Sequence, residues 1–207
     1  LFLSHFHFDH IQGLPYLTYL HEPGHTITIC HPDPKKAESI FNQLFDPNFF
    51  PIPLSELQSP PMFKSPDELA LTHTSITTHP VPHPGGCFSY RFQFPSSSVV
   101  YATDSELDIN HCDDFISFAK DCDFLIHDAH FFEEDHLSKK NWGHSFIKDV
   151  LTLGHLAKVD TLCLFHHNPN RKEDDFGKMK DVIRSFQEQF IHPKDIIIAR
   201  DSMSLTL

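Results

Sequence analysis

The chain is predicted to fold as an α/β protein, a four-layer αββα sandwich in which two sheets stack and helices cover their outer faces. Two observations predict it. A run of strand-like segments is followed by strands and helices in strict alternation, and 40% of the 207 residues are hydrophobic, with 13% aromatic, enough to fill a substantial core. One domain over residues 1–207 is therefore expected. Leu1-Phe2-Leu3 already reads as a buried strand nearing its end, so an N-terminal portion with the opening strands of such a sandwich is expected to precede this sequence, which is silent on targeting.

Each element has a local cause. Leu1 to Ser4 reads as a strand end, followed by a polar loop and a helix over 11–20. His25-Thr26-Ile27-Thr28-Ile29-Cys30 alternates and is β-branched, hence a strand. Pro34 opens a helix with Ala37, Ile40, Phe41 and Leu44 at helical spacing. Residues 46–69 hold six prolines (Pro47, Pro51, Pro53, Pro60, Pro61 and Pro66), so an extended and mobile connector without regular structure is expected. Strands follow over 72–80, 88–94 and 98–102, with a hairpin at Pro95-Ser96-Ser97. The alternation then runs helix 113–120, strand 124–127, helix 145–157 with Ser145 as its cap, strand 161–165, helix 174–190 and strand 195–199.

Composition narrows the function classes. A net charge of −12 disfavours sequence-independent binding to nucleic acid, which depends on Lys and Arg displacing counterions from phosphates. A small-molecule substrate suits it better, and nothing in the composition opposes a homo-oligomer. The five cysteines are odd in number with no C-x-x-C pair, which points to a reducing, cytoplasmic setting. No run of about twenty apolar residues marks a membrane span. The eighteen histidines are scattered, so only a few can be ligands.

Those few begin at Ser4-His5-Phe6-His7-Phe8-Asp9-His10, three imidazoles and a carboxylate within six positions. Neutral imidazole nitrogen and hard carboxylate oxygen together suit zinc and other divalent first-row metals. In an extended segment His5 and His7 share one side, and a turn at Asp9-His10 sends the next two ligands to a neighbouring position, so one loop can serve two metals. Three further candidates stand where strands end: His83 in Val81-Pro82-His83-Pro84-Gly85-Gly86, Asp104 after Tyr101-Ala102-Thr103, and His166 after Leu162-Cys163-Leu164-Phe165. Singly each reads as a turn or cap residue; as a set with the opening loop they read as a metal site.

The order H-x-H-x-D-H, lone His, Asp, final His resembles that of metallo-β-lactamase-fold hydrolases. The resemblance spans the chain and implies two metals: His5, His7 and His83 on one, Asp9, His10 and His166 on the other, with Asp104 bridging. Zinc is expected, with manganese or iron as alternatives. Glyoxalase-type thioesterases of this superfamily carry T-P-G-H-T at the second motif, where this chain has His83-Pro84-Gly85-Gly86-Cys87. Glu22-Pro23-Gly24-His25-Thr26 is a similar string too close to His10 to serve, so His25 is expected to be structural.

Two further stretches resemble phosphodiesterases. Leu125-Ile126-His127-Asp128-Ala129-His130 is similar to the H-E-A-T stretch of RNase Z-like enzymes with Asp128 for the glutamate, and Gly143-His144-Ser145 to their later histidine. The wording H-P-G-G, Y-A-T-D, I-H-D-A, G-H-S and F-H-H resembles the small phosphodiesterases of the phosphoribosyl cyclic phosphate type, and the long tRNA-gripping arm of RNase Z is not recognisable. The resemblance implies hydrolysis of a small phosphodiester, cyclic ones included. A hydroxide shared by the metals would attack phosphorus, Asp9 would orient it, and His144, held by Asp128, would protonate the departing alkoxide. Lactone, lactam or thioester hydrolysis, or a non-catalytic sensor role, are the alternatives. Asn168, Arg171, Lys139 and Lys140 lie near the motifs in sequence and are expected to be solvated surface residues.

Overall fold

A computed structural model describes residues 1–206. It divides into two compact units, Leu1–Thr72 and His73–Leu207.

In the first unit Phe2 forms a parallel bridge to Cys30, with Leu3 N–H donating to Cys30 O at 3.0 Å. The expected helix over 11–20 is instead three short turns: α1 (Phe8–Ile11), a 3-10 turn at Leu14–Tyr16, and α2 (Thr18–His21). Pro15 at the head of the 3-10 turn lacks the N–H that a continuing α-helix needs, which separates α1 from α2. Strand β1 covers only Thr28–Cys30. Helix α3 (Pro34–Leu44) starts as expected on Pro34, with the Asp33 carboxylate accepting from Lys36 N at 2.9 Å, and it buries Ala37 and Phe41.

The proline-rich connector differs from its expectation. It contains β2 (Met62–Lys64), parallel to β1, and 3-10 turns at Leu54–Glu56 and Pro66–Glu68. Phe50 and Leu57 join the core of Leu3, Leu20, Ile29, Phe41 and Phe45. Buried Ser59 donates to Glu22 O at 2.7 Å and accepts from His25 N at 3.1 Å. Long-range burial and pairing supply the order that local propensity does not.

The second unit is built on a six-stranded sheet in the order β3-β4-β5-β6-β7-β8. Strands β3 (Ser75–Val81), β4 (Cys87–Gln93) and β5 (Ser98–Ala102) are antiparallel, and β6 (Phe124–Asp128), β7 (Thr161–Phe165) and β8 (Asp195–Ile198) continue from β5 in parallel. Pro80 is accommodated because β3 is an edge strand. Helices α4 (Asp113–Ala119), α6 (Ile147–Leu156) and α7 (Glu173–Gln187) make the crossovers, and a one-turn α5 (His136–Lys139) precedes α6. Val100, Ala102, Leu125, Leu162 and Leu164 from the strands pack with Phe115, Ile147, Val150, Leu151, Met179 and Ile183 from the helices. Parallel strands buried on both faces read as continuous apolar runs.

Ser145 does not cap α6. Phe146 is the cap position, while the buried Ser145 hydroxyl accepts from Leu107 N at 3.0 Å and donates to Ser105 O, tying the loop after β5 to the start of the helix. Among the described residues all five cysteines are free thiols, and no helix is long and apolar enough to cross a membrane.

Candidate metal centre

In the first unit His7 lies on extended backbone and α1 begins at Phe8, so Asp9 and His10 sit in a helical turn rather than a loop. The chain reversal brings the imidazoles together. His5 is buried, with Nδ1 3.1 Å from Ser4 Oγ, and its ring lies 4.6 Å from that of His7 and 4.4 Å from that of His10. Asp9 Oδ2 is 3.2 Å from His10 Nε2. His25 lies outside this group, exposed, beside Glu22 and Tyr19.

In the second unit the remaining candidates gather where β3, β5, β6 and β7 end. Asp104, 2% exposed, follows β5 in the left-handed region (φ 47°), and His166 follows β7 likewise (φ 51°). Backbone held in that sparse region by non-glycine residues is strain of the kind that clusters at working sites. Asp104 lies between two imidazoles: Oδ2 is 3.8 Å from His83 Nε2 and Oδ1 3.3 Å from His166 Nε2. His83 Nδ1–H donates to Gly143 O at 2.8 Å, which leaves Nε2 with its lone pair toward Asp104. Gly143 has φ 84°, and a Cβ there would fall 2.3 Å from His83 Nδ1, so only glycine permits this approach.

The last residue of β6, Asp128, is fully buried. Its Oδ2 is 2.6 Å from His144 Nδ1 and 3.8 Å from His166 Nδ1, and its Oδ1 accepts from His130 N at 3.0 Å. Burial pushes the Asp128 carboxyl up, while the hydrogen bond from His144 pulls it down. His166 thus faces Asp104 with one nitrogen and the Asp128–His144 pair with the other.

His130, to which the sequence reading assigned no role, completes this cluster. One ligand atom from each of Asp128, His130, His144 and His166 lies within 4.8 Å of the others. The His130 ring stacks on His144 at 4.3 Å and 17°, and Nδ1–H donates to His166 O at 2.9 Å. Burial, then the neighbouring His144, lowers its pKa to about 4. Its place two residues past Asp128 was the available signal. Arg171 is also not the solvated charge expected. Half-buried, it donates to His130 O at 2.7 Å and lies 4.4 Å from the Phe132 ring, bracing the loop that carries His130. Lys139 lies 3.7 Å over the Trp142 ring.

The donor chemistry fits divalent cations. A buried carboxylate flanked by two imidazole nitrogens, one of fixed tautomer, is hard–borderline chemistry in which a bound cation offsets the cost of burying charge. Beside it a cavity of about 670 Å³, lined in part by His83, Glu106, Asn141 and Gly143, leaves room for a ligand.

Comparison with known proteins supports this picture. Residues 1–167 match the model of the family described as Beta-lactamase superfamily domain. Ribonuclease Z of Sulfurisphaera tokodaii is 34% identical over 84 residues, which are 41% of this chain; the match spans only 28% of that relative's length. The metallo-beta-lactamase fold protein YhfI from Bacillus subtilis superposes with a TM-score of 0.71 at 24% identity, over 98% of this chain and 75% of that one. A diphosphatase from the PhnP family superposes with a TM-score of 0.69 at 19% identity, over 100% and 70%. These similarities, with the family match running through both units, establish that the chain has the metallo-β-lactamase fold and belongs to the beta-lactamase superfamily domain family.

Proposed function

We propose that the chain is a binuclear metal-dependent hydrolase that cleaves a small phosphodiester, cyclic ones among its substrates. His5, His7 and His83 would hold one cation and Asp9, His10 and His166 the other, with Asp104 shared; zinc suits this mixed nitrogen and oxygen set, as manganese and iron also can. When bound, the cations supply water acidified enough to attack at neutral pH and offset charge on the phosphoryl oxygens.

The observation that carries the phosphodiester reading is the Asp128–His144 pair. An expelled alkoxide is strongly basic and needs a proton as the bond breaks. With Nδ1–H held by Asp128, His144 is left with Nε2 to deliver that proton. Asp9 would orient the attacking water. Hydrolysis of a thioester has less need of such a donor, because a thiolate is a weakly basic leaving group that departs without prior protonation. The relatives named Ribonuclease Z support phosphodiester chemistry. The net charge of −12 favours a small substrate over RNA.

The test is a substrate panel on the metal-loaded full chain: bis(p-nitrophenyl) phosphate, small linear and cyclic phosphodiesters, a short RNA, a thioester, a lactone and a lactam. Turnover of small diesters above all the others is expected. Hydrolysis of the thioester, lactone or lactam with no diester cleavage would overturn the reading, and RNA as the preferred diester would overturn the small-substrate part of it.

A further inference from the structure

We propose that Glu106 is a positioning residue for His144, acting through the turn at 141–143 without touching the reacting atoms. The inference rests on the reading of His144 as the proton donor.

Glu106 lies two residues past Asp104 in the loop leaving β5, and it uses both carboxylate oxygens on one short stretch of backbone. Oε1 accepts from Asn141 N at 2.6 Å and Oε2 from Gly143 N at 2.8 Å. Its own N–H donates to Pro82 O at 2.8 Å, one residue before His83. Gly143 closes the circuit by accepting from His83 Nδ1 at 2.8 Å. The Glu106 carboxylate therefore ties the loop of Asp104 to the turn immediately before His144, while its backbone N–H ties the same loop to that of His83.

The other contacts of that stretch are Trp142 N–H to Lys139 O at 3.3 Å, Lys139 and Phe131 against the Trp142 ring, and His83 on Gly143 O. Asn141 (φ 67°) and Gly143 (φ 84°) both take left-handed backbone, and Trp142 between them is 56% exposed. An exposed turn without a core of its own samples alternative conformations unless its polar groups are tied down. Backbone N–H bonds to an ionised acceptor are about twice as strong as neutral ones. Here two of them hold the peptide that leads into His144. The His144 ring is fixed at Nδ1 by Asp128 and stacked on His130, so Glu106 sets the remaining variable, the backbone from which the ring is presented. Without it, His144 Nε2 samples positions in which proton delivery is out of line.

Such a role predicts dependence on the leaving group. A departing p-nitrophenolate needs little protonation, while a phenolate without the nitro group needs more. The test uses Glu106→Ala and Glu106→Gln on a series of methyl aryl phosphodiesters from p-nitrophenyl to phenyl, recording kcat, KM and bound metal for each protein. For Glu106→Ala the expected kcat loss is under about threefold with p-nitrophenyl and about tenfold or more with phenyl. With every protein assayed at saturating zinc, KM and bound metal should remain at wild-type values, and Glu106→Gln, which keeps one acceptor, should fall between. Where Glu106→Ala does not fold, the glutamine variant carries the comparison. Equal losses along the series, a rise in KM alone, or loss of metal would overturn the positioning role. A wild-type protein inactive on the whole series would instead overturn the hydrolase reading, and the inference with it.

Discussion

Nδ1 of His144 stands 2.6 Å from Oδ2 of Asp128, a carboxylate with no solvent exposure. The pair spans sixteen residues of sequence and joins the last residue of β6 to the turn before α6. A buried carboxylate in this contact fixes the tautomer and orientation of the ring.

Asp128→Asn keeps the shape of the site and removes the charge. Turnover of a phosphodiester with an alkoxide leaving group should fall roughly 100-fold or more. His144→Ala should fall by a similar amount, and the double variant by little beyond either single one, because the two residues act as a unit. Metal content measured by elemental analysis should remain at the wild-type level in all three. Additive losses, or loss of metal from His144→Ala, would contradict the assignment.

Gly143→Ala places a methyl group against His83 Nδ1 in a backbone region that alanine adopts at a cost. Either the 141–143 turn or the His83 ring must move, so the hydrogen bond fixing the His83 tautomer is lost. Metal affinity should fall about 10-fold or more, the range seen when a bond orienting a ligand is removed. Competition with a chromophoric chelator reads it directly, and wild-type affinity in this variant would contradict the role of Gly143.

His127 gives a pH signature separate from catalysis. Fully buried on the central strand β6, it donates from Nδ1 to Asp128 O at 2.8 Å, and burial lowers its pKa from 6.5 to about 4. The folded protein keeps it neutral, whereas the unfolded chain takes up a proton below about 6.5. Its contribution to stability is therefore complete above pH 6.5 and is lost as pH falls toward 4. At 1.36 kcal/mol per unit, the loss is about 2 kcal/mol at pH 5 and about 3 kcal/mol by pH 4. Urea unfolding of the metal-free protein at pH 7 and pH 5, against His127→Leu, isolates the effect. The difference between the two proteins should shrink at pH 5; one independent of pH would refute it.

Much of this was legible in the sequence for physical reasons. β5 and β7 match their expected bounds because each is a short, mostly apolar run followed by polar residues. Asp104 and His166 stand out because they follow those runs. β2 was not legible: Met62-Phe63-Lys64 is a short stretch beyond two prolines, ordered by pairing with β1 more than thirty residues earlier. Nor could the roles of His130, Glu106 and Ser145 be read. Each is defined by a partner 35 to 40 residues away, His166 O, Asn141 and Gly143 N, and Ser105 O, which no local pattern encodes. Arg171 was misread for the same reason, since the carbonyl it braces lies 41 residues upstream.

The central claim is that the chain is a binuclear phosphodiesterase. Zinc titrated into the chelator-stripped full chain, with bis(p-nitrophenyl) phosphate hydrolysis followed at each addition, tests it most directly. The account predicts activity that rises to a plateau at two equivalents of metal per chain; a plateau at one equivalent, or two bound equivalents with no diester hydrolysis, would contradict it.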